Sequence, residues 1–209
     1  MRAAGTALAV DGRPIDGGLS LRADHWVQHL PSPVQDAIAA FSAYGLGLLA
    51  VLMVWAWWRA RAADGAADGA AMARVLAAPL VVVVVFAADT VLKALLHEPR
   101  PCQVLDTGPT LETCPATGDW SLPSNHTVIV FAGAAVLWLV DRRIGALALL
   151  LAVAMGASRV LVGVHYPHDV ALGALVGAAA GYGIGALAGQ GRGLVDRART
   201  GGLRRWLTA

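Results

Sequence analysis

The sequence predicts an all-α integral membrane protein, a bundle of five to six membrane helices, and three observations carry that reading. Hydrophobic residues make up 57% of the 209 positions and charged residues only 14%, against about 25% charged in a soluble domain. The mean hydropathy is +0.60. Five apolar runs, near residues 37–58, 75–96, 124–141, 144–162 and 170–188, each approach the roughly 20 residues that span a bilayer as a helix. The whole chain, 1–209, reads as one membrane domain.

The first 33 residues contain no apolar run of spanning length, so the first span is expected to direct insertion. "DHWVQHLPSPVQDAIAAF" has the mixed character of a surface-lying helix leading into that span, and a sixth interfacial or re-entrant element is expected there. "RARAADGAADGAAMAR" is a polar, Gly/Ala-rich loop between the first two spans. "DRR" closes a tight hairpin between the third and fourth. "GALVGAAAGYGIGALAG" in the fifth span suits close helix packing in lipid. The tail, 189–209, is basic and suited to a membrane surface.

Charge placement sets the expected orientation. Arg59, Arg61, Arg74, Arg142, Arg143, Arg192, Arg197, Arg199, Arg204 and Arg205 fall on one side, ten of the sixteen Lys and Arg. The other side holds Arg2, Arg13, Arg22, Lys93, Arg100 and Arg159. The positive-inside rule puts the ten-arginine side and the tail in the cytoplasm. The N-terminal segment, 1–33, and the loop 97–123 then face outward. The only two cysteines, Cys102 and Cys114, both lie in that loop, where an oxidising exterior permits a disulfide; two independent thiols are the alternative. A net charge of +2 gives no basis for a nucleic-acid partner. The Ala, Gly, Val and Arg bias, with Lys93 the single lysine, suggests a GC-rich bacterial genome.

Three polar clusters stand out against the apolar background. In "KALLHEPRP", Lys93 and Arg100 are seven residues apart and share one helical face. Pro99 and Pro101 mark the end of regular helix. In "LPSNHTVIV", Pro123 and Ser124 precede a helix start, where free N–H groups and the dipole favour an anion. In "SRVLVGVHYPHD", Arg159 ends one span and Asp169 falls in the first turn of the next, within reach of His165. Taken singly, each cluster has a bland reading: a snorkelling lysine, a rim histidine, a structural His–Asp pair. Taken together, the topology brings Lys93, Arg100, Arg159, His126 and His165 to one membrane face. Three convergent cations repel one another unless an anion sits among them, and arginine forks with a lysine suit phosphate. Few carboxylates and many cations disfavour a transition metal. Asp89, one turn before Lys93 and inside a span, is expected to pair with Lys93 or a neighbouring hydroxyl, with a proton-relay role the alternative.

Lys93-x6-Arg100-Pro101, Pro123-Ser124-x-His126 and Ser158-Arg159-x5-His165-x3-Asp169 resemble, in order and spacing, the three-part signature of the type-2 phosphatidic acid phosphatase superfamily. Asn125 departs from the family's usual glycine but keeps its backbone N–H. That polar residue, the short outward loop and the N-terminus without a full span resemble the bacterial undecaprenyl-diphosphatase branch. The resemblance implies a membrane lipid phosphatase with its site at the outer face of the plasma membrane and no cofactor or metal. It implies His165 as nucleophile, Asp169 as its orienting carboxylate and His126 as general acid and base. Lys93, Arg100, Ser124, Asn125 and Arg159 would hold the phosphoryl oxygens, with Ser158 as a further contact. His97 and His168 fall outside the motif and read as rim residues, with contact to the substrate the alternative for His168. The implied substrate is an isoprenoid diphosphate of undecaprenyl or decaprenyl type, cleaved through a phosphohistidine to the monophosphate that carries cell-wall precursors. A phosphatidylglycerophosphate, phosphatidate or prenyl-phosphoryl-sugar phosphatase is the alternative within the class, and a lipid or ion transporter the alternative outside it.

Overall fold

The computed structural model describes residues 8–62 and 69–199. Arg2, Arg204, Arg205 and much of the first polar loop lie outside the described residues. Among those described, the structure is helical, without strands: α1 (Arg13–Gln28), α2 (Ser32–Tyr44), α3 (Leu46–Ala62), α4 (Gly69–Leu96), the single turn α5 (Pro101–Val104), α6 (Asn125–Val140), α7 (Arg142–Leu161), α8 (Pro167–Ala188) and α9 (Arg192–Arg199).

By length and composition, α4, α7 and α8 can each cross a membrane, and the pair α2–α3 makes a fourth span if counted as one. α6, at sixteen residues, is shorter than a full span but the most enclosed of the helices, packed by α4, α7 and α8. Large apolar side chains such as Leu80, Val83, Leu150, Val153 and Leu175 point outward from the bundle. A helix bundle whose outer surface is this apolar is a membrane protein.

The run 37–58, predicted as one straight span, is broken: α2 and α3 meet at 54°. The break falls at Gly45, where an added Cβ would stand 2.7 Å from Met155 Cε and 2.5 Å from the Phe41 carbonyl. α7 therefore presses into the joint. The surface helix expected before it is also divided. Pro31 and Pro33 separate α1 from α2, and the Gln35 amide donates to the Gln28 and Leu30 carbonyls left open at the end of α1.

α6 and α8 are in contact along the Gly173, Gly177, Gly181 and Gly185 stripe, one glycine per turn. A Cβ at Gly181 would sit 2.6 Å from Ala132 Cα and closer still to its carbonyl. Gly181→Ala is expected to cost about 1–3 kcal/mol of stability. Gly183→Ala, with open space around its Cβ position, is expected to cost nothing. Thermal unfolding in detergent compares the two.

The helices alternate in direction. The C-terminal ends of α4 and α7 and the N-terminal ends of α6 and α8 therefore lie at one end of the bundle. Gly163, at φ +84°, makes the tight turn from α7 to α8 in a conformation that glycine adopts without strain. Arg59, Arg61, Arg142 and Arg143 lie at the opposite end. There Arg59 pairs with Asp141 at 3.3 Å, and Arg61 and Arg142 each cover a tryptophan, Trp57 and Trp138.

Over the first end lies the loop 105–121. A Cys102–Cys114 disulfide ties it to α5. The Gln103 amide donates to the Pro115 and Ala116 carbonyls, and the Gln28 amide to the Thr107 and Pro109 carbonyls. Replacing both cysteines with serine should lower stability by about 3 kcal/mol through the freed loop, read as a lower unfolding temperature of the purified protein.

Candidate active site

His165 ends the α7–α8 turn and is 2% exposed; Asp169, one turn into α8, is fully buried. The imidazole Nδ1 lies 3.1 Å from Asp169 Oδ2. The other ring nitrogen, Nε2, lies 3.0 Å from Arg100 Nη1. A guanidinium can only donate, so Nε2 must carry the lone pair and Nδ1 the proton. The tautomer is thus fixed from both sides: Nδ1–H donates to Asp169, and the Nε2 lone pair faces Arg100. Burial, and then the charges of Arg100, Lys93 and Arg159, hold the His165 pKa well below its ordinary value. At neutral pH the ring is uncharged and Nε2 keeps its lone pair.

Asp169 is itself held in place. Its Oδ2 also accepts from the Tyr166 backbone N–H at 2.8 Å and from the Ser121 hydroxyl. Ser121 Oγ stands 3.3 Å from His165 Nδ1 as well, so a buried hydroxyl bridges the pair. The Asp169 carbonyl accepts from the Ser124 N–H at 3.2 Å, which joins the start of α6 to the start of α8.

The three cations converge from three elements. Arg100, 4% exposed, donates to the Val164 carbonyl at 3.0 Å and through Nε and Nη2 to Asp119 at 2.9 Å each. Lys93 Nζ donates to the Trp120 carbonyl at 2.6 Å. The Arg159 fork grips Glu112 at 2.6 and 3.0 Å and donates to Ser42 Oγ at 2.6 Å. Burial raises the Glu112 carboxyl, but the Arg159 hydrogen bonds and charge overcome it and leave that pKa below the usual range.

His126 is half-buried in the first turn of α6, within electrostatic reach of Arg159, Glu112, Arg100 and Lys93. Asn125 opens α6, where backbone N–H groups have no intrahelical partner, and its Oδ1 is buried without a hydrogen bond. Ser124 is fully buried and accepts from the Thr127 hydroxyl at 3.1 Å. Ser158 is turned into its own helix, donating to the Met155 carbonyl at 2.7 Å.

Two expectations differ from the structure. Asp89 is not paired with Lys93, whose ammonium is drawn to the Trp120 carbonyl; both Asp89 oxygens lack a hydrogen bond and border a small apolar cavity between α4 and α8. His168 is not a rim residue but lies behind Asp169, between the carboxylates of Asp16 and Glu98. Ser121, Glu112, Asp119 and Ser42 escape the sequence reading. Ser121 had a signal, a hydroxyl just before "LPSNH"; the other three are matched to their arginines only by the fold.

Fold and site together define a helical membrane protein with a buried His–Asp pair facing a cage of cations at one end of its bundle. The profile of the PAP2 superfamily matches residues 71–189, more than half of the chain, and the chain belongs to that superfamily. A bacitracin transport permease protein BcrC from Bacillus licheniformis is 49% identical over 59 residues, 28% of this chain and 29% of that one. An undecaprenyl-diphosphatase from Sulfolobus acidocaldarius is 38% identical over 86 residues, 41% of each chain. The matches thus span about two fifths or less of these curated relatives. The crystal structure of Aquifex aeolicus LpxE superposes with a TM-score of 0.58 at 22% identity, covering 83% of this chain and 95% of that one, which is a likeness of fold.

Proposed function

We propose that the chain is a membrane lipid phosphatase that cleaves an isoprenoid diphosphate to the monophosphate and inorganic phosphate through a phosphohistidine on His165. One observation carries the reading: the His165 Nε2 lone pair, its tautomer fixed by Asp169, is aimed at Arg100 within the cage that Lys93 and Arg159 complete.

The residues perform the reaction as follows. Nε2 attacks the terminal phosphorus, the P–N bond forms, and the bond from phosphorus to the bridging oxygen breaks. His126 gives that oxygen its proton. Asp169 accepts the Nδ1–H bond throughout and stabilises the imidazolium character that develops on His165. Arg100, Arg159, Lys93 and the N–H groups opening α6 hold the equatorial oxygens, where charge must be met. Water, losing its proton to His126, then breaks the P–N bond and frees phosphate. Entry of the substrate exchanges Glu112 and Asp119 for phosphoryl oxygens on the arginine forks.

An apolar groove of about 380 Å³ between α2 and α7, lined by residues including Ile38, Phe41, Ala154 and Ser158, supports a lipid substrate. It adjoins Ser42 and Arg159, so a tail there brings its headgroup to the cage. The undecaprenyl-diphosphatase relative favours an isoprenoid tail. We place five helices in the membrane, α2–α3 as one bent span and α6 as a short one, in the plasma membrane. The arginines at the far end and the disulfide at the near one favour a site open to the exterior.

The bacitracin transport permease relative favours a second reading, a transporter. Transporters gather polar groups near the bilayer midplane, whereas here they lie at one end of the bundle. The deciding experiment is phosphate release by the purified chain from a panel of isoprenoid and glycerolipid phosphates in detergent. Release fastest from isoprenoid diphosphates, unchanged by EDTA after metal stripping, is expected. No release from any lipid phosphate, or release only on return of a divalent ion, would contradict the proposal.

A further inference from the structure

Behind Asp169 lies a second polar cluster that the reaction above does not use. His168 Nδ1 is 2.7 Å from Asp16 Oδ1, and its Nε2 is 2.9 Å from Glu98 Oε1 and 3.6 Å from Asp169 Oδ1. Glu98 and Asp169 are both fully buried, with oxygens within 4.8 Å of each other. When Asp16 and Glu98 are both ionised they only accept, and the imidazole between them then donates through both nitrogens as an imidazolium. With both nitrogens committed, it has no lone pair left for a metal.

Asp16 reaches this point from α1, outside the segment that the family profile matches. Its Oδ2 accepts the His168 backbone N–H at 2.8 Å. Tyr166, the residue before α8, offers no side-chain cap, so Asp16 caps α8 from another helix. The strand of chain before α1 lies along the end of α4, with Leu8 and Val10 N–H donating to the Leu95 and Leu96 carbonyls, and Gly12 lies against Glu98, His168 and Tyr166. The Tyr166 ring stacks on His168 at 5.3 Å.

We propose that His168 is a positioning residue, a partly buried imidazolium that keeps Asp169 ionised against Glu98 and is itself held by Asp16 of the N-terminal helix. The inference rests on the phosphatase reading. Two buried carboxylates this close cannot both stay ionised without a cation between them. The groups facing His168 are Asp16, Glu98, Asp169 and the Tyr166 ring; those facing Asp169 are His165, Ser121, Glu98, His168 and, farther off, Lys93. Asp11 and Arg13 pair with each other nearby. N-terminal docking and nucleophile activation are thereby coupled through one side chain.

The sign follows. His165 and Asp169 titrate as a pair, and the acid limb of kcat/KM reports their uptake of a proton. Removing a neighbouring cation raises that proton affinity, so the limb moves to higher pH. In the whole 209-residue chain, His168→Gln should move the limb up by about one unit or more, with the alkaline plateau near wild type. Adding Glu98→Gln removes the repulsion and should bring the limb back. A limb that stays in place in His168→Gln, or a loss equal at every pH that Glu98→Gln does not relieve, would overturn the proposal. A second readout needs neither variant nor turnover: 15N-histidine NMR of the wild type should show one doubly protonated ring at about pH 8, well above histidine's ordinary pKa of about 6.5. A neutral His168 there would also overturn it. If the wild type releases no phosphate from any lipid, the functional reading fails while the NMR signal still decides the state of this cluster.

Discussion

His165→Ala is expected to lower kcat by about 10⁴-fold or more, the scale seen when a covalent nucleophile is removed. Nothing near it substitutes. Ser121 is the nearest hydroxyl, and it is bound to Asp169 and faces Nδ1, the side of the ring away from the cage. His126 lies on α6, where it is assigned the leaving oxygen. The truncation leaves a small buried cavity and frees Arg100 of one acceptor, but Arg100 keeps Asp119 and the Val164 carbonyl. The variant should therefore fold and still bind vanadate, which resembles the phosphoryl group in transfer. Steady-state phosphate release beside a thermal unfolding curve separates lost chemistry from lost structure. Substantial turnover by the folded variant would remove His165 from the mechanism.

Arg100→Ala is expected to cost about 10²–10³-fold in kcat, the effect of removing one donor from a site of developing charge. Its guanidinium joins His165, the Val164 carbonyl and the capping loop, so one side chain aligns three parts of the site. Arg100→Lys should recover little, because a point charge cannot meet several acceptors in one plane. The loss should appear in kcat as well as in KM, since the contact strengthens as charge builds on the phosphoryl oxygens. Vanadate inhibition should weaken in parallel. A change in KM alone would make Arg100 a ground-state anchor only.

How much of this was legible in the sequence depends on the range of the forces involved. The apolar runs locate α6, α7 and α8 to within a few residues, because in lipid an uninterrupted helix is what satisfies the backbone, whereas α4 starts six residues before its run, at Gly69, within the stretch read as a polar loop, where Met72 and Ala73 pack into the core. The meeting of Lys93, Arg100, Ser124, Arg159, His165 and Asp169 at one end follows from helices that alternate in direction. The bend at Gly45 was not legible, since it depends on Met155 of α7 occupying the joint. Nor were the partners of the cations. Glu112 meets Arg159 across 47 residues and Asp119 meets Arg100 across 19, through a loop with no periodicity to read. His168 looked peripheral because its partners, Asp16 and Glu98, are 152 and 70 residues away. Asp89 shows the opposite failure: the nearest opposite charge in sequence lies on its own helix, yet the Lys93 ammonium is held by a loop carbonyl.

The central claim is that phosphate passes through His165 Nε2. The most direct test is to quench turnover of a labelled isoprenoid diphosphate within the first cycle under alkaline conditions and map the modified peptide by mass spectrometry. The account predicts phosphate on the peptide containing His165, stable to base, lost in acid and absent from His165→Ala. Full turnover with no phosphohistidine at His165, or the label on another residue, would contradict it.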